Sequence, residues 1–215
     1  MLAIRGLSKH WRGTTAPVLD GLDLEVAPGE TVAIVGANGA GKTTLLRVVA
    51  GLLAPDAGSV ELCGRTPAAD RTGYQRALGL LSAGNTGLYA RLKVEHHLDL
   101  GTRLALMPRR ARTRAADWAL DAFELRPLCG RRVDRLSMGQ RQRLRLALAF
   151  VHQPRLVLLD EPATSLDADG VDTVQRALSE LKARGGSAIV CAPTGAGPPP
   201  DCDRTLVLAG GALAA

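Results

Sequence analysis

Gly36-Ala37-Asn38-Gly39-Ala40-Gly41-Lys42-Thr43 has the spacing Gly-x-x-x-x-Gly-Lys-Thr of a phosphate-binding loop. Glycines let the backbone turn so that successive N–H groups converge on one anion. Lys42 is a point charge long enough to reach β- and γ-phosphates, and the Thr43 hydroxyl is a hard oxygen donor suited to Mg²⁺. A second signal is the pair Asp160-Glu161, which closes the apolar run Leu156-Val157-Leu158-Leu159. Asp160 is placed to hold Mg²⁺ directly or through water. Glu161 is placed to polarise an attacking water, as a general base or positioning group. Read locally, the same pair is also a helix N-cap beside a solvated carboxylate. A third segment, Leu136-Ser137-Met138-Gly139-Gln140, reads locally as a capping box, Ser137 facing Gln140 three residues on. The N-terminus of the helix it opens also favours an anion.

These residues need a scaffold that brings strand ends together. Leu2, Ile4 and Leu22–Val26 alternate as short strands, with Gly13-Thr14-Thr15 and Pro17 between them. Thr31–Val35 reads as a buried strand leading into the phosphate loop, and Leu45, Leu46, Val49 and Ala50 give the face of a helix that Gly51 ends. Residues 93–128 read as helices: Leu98, Leu100, Leu104 and Leu106 are apolar, Pro108 breaks the pattern, and Ala115, Trp118, Ala119 and Ala122 follow at helical spacing. Further on come a helix at Gly139–Val151, a strand at Leu156–Leu159, a helix at Ala168–Arg184, a strand at Ala188–Cys191, a loop at 195–200 and a last strand at Asp203–Leu208. Strands alternating with helices predict an α/β fold whose parallel sheet is covered on both faces. In such sheets ligands bind beyond the carboxyl ends of the strands, where the loop and the acidic pair can meet. In that setting Glu161 is expected to diverge from Asp160 because successive strand side chains alternate.

Composition narrows the classes. The 215 residues are 46% hydrophobic and 22% charged, ordinary for one globular domain, and no apolar run approaches a bilayer span. The start, Met1-Leu2-Ala3-Ile4-Arg5-Gly6, does not read as a signal peptide. Cys63, Cys129, Cys191 and Cys202 show no metal-binding spacing and are expected as reduced thiols. Net charge is +6, nearly all from dispersed arginine, while aromatics are 3%, so no stacking platform for nucleic acid is visible and none is expected as a partner.

The order of these motifs resembles the ATP-binding subunit of an ATP-binding cassette (ABC) transporter, over nearly the whole chain. Leu136–Gln140 resembles the family's LSGGQ signature with Met138 for one glycine, and Ser165-Leu166-Asp167 resembles its D-loop. Trp11 resembles the aromatic that stacks on adenine; a loop tryptophan packed on its own domain is the plain alternative. The resemblance implies one domain, 1–215, with a P-loop NTPase core and a mostly parallel sheet. N-terminal antiparallel strands and a helical signature subdomain, inserted at about 93–150, complete it. It also implies a head-to-tail dimer of ATP-binding subunits, each ATP lying between Gly36–Thr44 of one copy and Ser137, Gly139 and Gln140 of the other, with Asp167 nearby. Mg²⁺, a separate transmembrane permease and a place on the cytoplasmic face of the cell membrane follow from the same resemblance.

Two family positions depart. The Gln expected after the strand that follows the first helix is absent from Leu78–Asn85, where Ala83 aligns, and the His expected after the last core strand is Pro193. Two readings therefore stay open: an ATPase that powers a transporter, with slow turnover, and an ATP-binding regulatory module that dimerises and barely hydrolyses. Gly87-Leu88-Tyr89-Ala90-Arg91-Leu92 resembles a segment common in exporter ATPases, which leans the reading to export.

Overall fold

A computed structural model describes residues 1–13, 15–84, 86–195 and 202–214. The chain runs β1 (Leu2–Lys9), β2 (Leu19–Val26), β3 (Thr31–Gly36), α1 (Lys42–Val49), β4 (Ala57–Leu62), α2 (Arg71–Arg76) and β5 (Leu78–Leu81). It continues through α3 (Val94–Leu104), α4 (Arg109–Ala122), α5 (Met138–Phe150), β6 (Leu156–Asp160), α6 (Ala168–Ala183), β7 (Ser187–Pro193), β8 (Arg204–Ala209) and β9 (Ala212–Ala214). Thr14, Asn85, most of the expected 195–200 loop, Asp201 and Ala215 lie outside the described residues.

Two sheets form. The smaller is antiparallel in the order β2-β1-β4; the larger runs β5-β6-β7-β3-β8-β9, parallel except for β9 against β8. β2 buries alternate residues, as a sheet with one wet face does, whereas every residue of β6 is buried, as a parallel strand covered on both faces requires. β6 and β7 thus form a wall between two cores. Leu156 and Leu158, with Ile189 and Cys191, face a core built on the antiparallel sheet and α1; Val157 and Leu159, with Ala188 and Val190, face the core of the helical part. There Phe123 packs on Phe150 with ring centres 5.6 Å apart. The period-two alternation of a strand makes this division automatic.

The expected strands and helices are present, with some edges longer, and β4, α2 and β9 are additions to the sequence reading. β4 buries only Val60 and Leu62, and the six residues of α2 bury only Tyr74, so neither carries a long enough apolar pattern to read. Leu104 and Leu106, read with the apolar residues of this helical stretch, are both exposed: Leu104 closes α3, and Leu106, beyond the C-cap Ala105, turns the chain at φ 55°. Among the described residues no helix is long and apolar enough to cross a membrane.

Candidate functional site

The phosphate loop leaves β3 in the middle of the large sheet, where a Cβ on Gly36 would stand 2.6 Å from the Leu208 carbonyl oxygen. Gly41 turns into α1 at φ 106°, a conformation that favours glycine, and no side chain caps the helix. Its first N–H groups therefore point into the loop as an anion site. Lys42 lies buried along this turn, its Nζ donating to the carbonyls of Gly36 at 2.6 Å and Ala37 at 3.0 Å. The Thr43 hydroxyl donates to Asp160 Oδ2 at 2.7 Å. The expected pair of Mg²⁺ ligands is thus already side by side across two elements. Two hard oxygens suit Mg²⁺, which usually keeps several waters and takes further oxygens from phosphate.

Glu161 follows Asp160 but lies beyond the strand. Its direction is set by a left-handed turn at φ 51°, not by strand alternation, which corrects the sequence expectation. Its N–H donates to the Cys191 carbonyl at 3.0 Å, and its carbonyl accepts from Thr164 N–H at 3.2 Å. Trp11, Asn38, Gly39, Ala40, Gly41, Lys42, Thr43, Thr44 and Glu161 line one open cavity of about 560 Å³, with Gly210 and Gly211 on its rim. Gly36 and Ala37 are not on its lining; their carbonyls hold Lys42.

The signature segment is elsewhere. Ser137 Oγ accepts from Gln140 N–H at 3.2 Å and Gln140 Oε1 accepts from Ser137 N–H at 3.1 Å, so the expected capping box opens α5. Ser137, Gly139, Gln140, Arg143, Ser165 and Asp167 line a second cavity of about 570 Å³ that shares no lining residue with the first. Asp167 caps α6 through Gly170 N–H and accepts from Arg143 Nη2, both at 3.0 Å; these bonds hold its carboxyl below the usual range, the arginine contributing most.

A third, smaller cavity of about 130 Å³ is lined by Ala83 together with Asp160 and Glu161. Pro193 ends β7 opposite Gly36, the place the His alignment indicated. Two further residues on the wall of that cavity, Gln142 and Arg145, escaped sequence reading; a guanidinium among Leu144, Leu146 and Ala147 was the available signal. The Gly87–Leu92 segment is held by a buried imidazole. Tyr89 N–H donates to His97 Nε2 at 2.9 Å, so Nδ1 carries the proton and donates to the Lys93 carbonyl at 3.1 Å. Burial pushes the His97 pKa down.

A family model described as "ABC transporter" matches residues 19–164. The Fe(3+) ions import ATP-binding protein FbpC 2 of Rhodococcus jostii (strain RHA1) is 40% identical over 188 residues, covering 85% of this chain and 52% of that protein. The Daunorubicin resistance ATP-binding protein DrrA3 of Streptomyces coeruleorubidus is 37% identical over 190 residues, covering 88% of this chain and 59% of its own length. The chain thus spans somewhat over half the length of these curated relatives. Among solved structures, a dimeric, post-hydrolysis ATP-binding cassette, MJ0796, bound to ADP and Pi superposes with a TM-score of 0.89 at 22% identity. That match covers 100% of this chain and 97% of the other.

Proposed function

The chain belongs to the ABC transporter family, and from that premise we propose that it is the ATP-hydrolysing subunit of a membrane transporter, working as a head-to-tail dimer that closes on two ATP molecules. One observation carries the reading: the phosphate loop and the signature segment line separate cavities with no residue in common. In this reading Ser137, Gly139 and Gln140 complete the nucleotide site of a second copy. The solved dimer of the same fold supports the arrangement.

In this mechanism Lys42 leaves the Gly36 and Ala37 carbonyls to neutralise the β- and γ-phosphates, while the N–H groups of the loop and of α1 cradle them. Trp11, at the cavity rim, stacks on the adenine. Thr43 and Asp160, whose oxygens lie side by side, would hold Mg²⁺, and the ion would supply positive charge to the phosphate oxygens. Glu161 orients the attacking water and accepts its proton. Ser137, Gly139 and Gln140 of the second copy meet the γ-phosphate at the positive end of α5, with Asp167 beside them. Closing and reopening of the dimer, docked at the cytoplasmic face of the membrane, drives a separate transmembrane permease, because ATP binds the closed state better than the open one.

Ala83 and Pro193 cannot make polar contacts to the water or the γ-phosphate, and losing one such contact costs on the order of 10²–10³ in rate. Turnover is therefore slow. The same two residues favour the second reading, a regulatory module that binds ATP and barely turns over. Steady-state phosphate release decides between them: Glu161→Gln is expected to lower it by about 10²-fold or more, and equal rates in both proteins would leave the regulatory reading standing. For direction we propose export, on the Gly87–Leu92 segment. Reconstitution with the permease in vesicles, reading which side gains substrate on adding ATP, tests it; accumulation on the side opposite to that expected of an exporter would reverse the assignment.

A further inference from the structure

Arg145 lies in α5 with Leu144, Leu146, Ala147, Ala149 and Phe150 buried around it, and is itself only 7% exposed. Every acceptor found for it is neutral. Nε donates to the Thr86 carbonyl at 3.1 Å, Nη1 to Gln142 Oε1 at 2.8 Å, and Nη2 to the Ser82 carbonyl. A buried guanidinium with no ion-pair partner among the described residues is costly to keep, and desolvation here pushes its pKa down. Gln142, buried one turn earlier, extends the chain of contacts: its Nε2 donates to the carbonyl of Pro162, the residue after Glu161, at 3.1 Å. Ala83, Gly84, Gln142, Arg145, Asp160 and Glu161 share the walls of the small cavity.

The geometry points to Arg145 as a positioning residue for hydrolysis. Its planar fork ties Ser82 and Thr86, which follow β5, to α5. Through Gln142 it ties both to the peptide that follows Glu161. Glu161 sits in a left-handed turn that a non-glycine residue keeps only when its surroundings fix it. The Pro162 anchor on one side and the Cys191 carbonyl on the other do the fixing. Ala83 and Gly84 line the cavity with Glu161, and the carbonyls of Ser82 before them and Thr86 after them accept from Arg145. A lysine could not replace it, since one ammonium on a flexible stem cannot span acceptors on two segments and on Gln142 together. The kinetic part of this inference rests on the ATPase reading; the tie itself does not.

The test uses the full chain with Arg145→Met, which keeps the stem and removes the donors, Arg145→Lys, which keeps the charge, and Gln142→Leu. Amide hydrogen exchange is expected to speed up about tenfold or more in Arg145→Met at both 82–86 and 161–165, with the rest of the chain little changed. Gln142→Leu is expected to loosen mainly 161–165. In phosphate release, Arg145→Met is expected to lower kcat about 10- to 100-fold while KM for ATP stays within about threefold, because the phosphate loop is untouched. Arg145→Lys recovers only part of kcat, and the Arg145→Met/Gln142→Leu double variant is no slower than Arg145→Met, the non-additivity expected of one chain of contacts. Faster exchange at 82–86 alone, a uniform rise over the whole chain, a change in KM matching that in kcat, or additive losses would each overturn the proposal. A wild type whose turnover ignores Glu161→Gln fails the ATPase reading instead, and the exchange experiment then still decides whether the tie exists. Should Arg145→Met not fold, the milder Arg145→Lys carries the same exchange comparison.

Discussion

The phosphate-loop cavity and the signature cavity are nearly equal in size, about 560 and 570 Å³, yet they are furnished differently. The first gathers a buried lysine, a hydroxyl against a carboxylate, a second carboxylate in a fixed turn and a tryptophan at the rim. The second offers the start of α5, a glycine, and polar side chains already engaged with one another: Ser137 with Gln140, and Arg143 with Asp167 and Glu124. The first can hold a nucleotide by itself. In the proposed dimer the second meets a phosphate that another chain presents. The proposed division between copies leaves each half settled in its own hydrogen bonds.

Lys42→Ala breaks the first half and has the largest expected effect on binding: about 100-fold weaker ATP binding, since hydrogen bonds to a charged group are worth about 1.5–3 kcal/mol each. Titration with a fluorescent ATP analogue reads it; unchanged affinity would mean the loop does not hold the phosphates. Gly139→Asp breaks the second half alone. Its Cβ would stand 3.0 Å from the Ser165 carbonyl oxygen, and in the proposed dimer its carboxylate would face the γ-phosphate held by the other copy. Phosphate release should drop about tenfold or more through like-charge repulsion, and sedimentation should show no ATP-dependent dimer, while ATP affinity stays within about threefold. A parallel loss of ATP affinity would erase the distinction between the two halves.

The smallest effect is set by pH, and it falls on the helical half. Unfolded, His97 titrates near about 6.5; folded, burial holds its pKa lower, and its Nε2 must stay unprotonated to accept from Tyr89 N–H. As pH falls, the unfolded chain therefore takes up the proton first. The contribution of His97 to stability is full above about pH 6.5, is lost on the way down, and levels off below the folded value. His152, whose pKa is also pushed down by burial, acts in the same sense. Melting between pH 7.5 and 5.5 should show a fall that His97→Gln reduces by about 2–4 °C. An identical fall in both proteins would take His97 out of the account.

Much of this was legible because it is local. The spacing of Gly36–Thr43, the apolar run into Asp160 and the Ser137–Gln140 box each lie within a few residues, and β3, β6 and α5 place them as their patterns imply. What escaped depends on contacts far apart in sequence. Arg145 meets Ser82 across 63 positions, and nothing around either residue announces the other. The direction of Glu161 was expected from strand alternation, but the strand stops one residue earlier, and only the bond from its N–H to the Cys191 carbonyl of β7 shows what holds the turn. Strand β4 and helix α2 were hidden by the few side chains they bury.

The separation of the two cavities has a consequence for the rate law. In the proposed dimer a lone chain carries a nucleotide it cannot finish hydrolysing, so mass action governs activity: turnover per chain climbs with protein concentration until the pairs are saturated. Anything that holds two copies side by side replaces that bulk concentration with a local one that stays fixed when the solution is diluted, and for short flexible linkers this reaches millimolar values. A membrane partner with two docking places would therefore switch the pair on by proximity alone, with no new contact at either cavity.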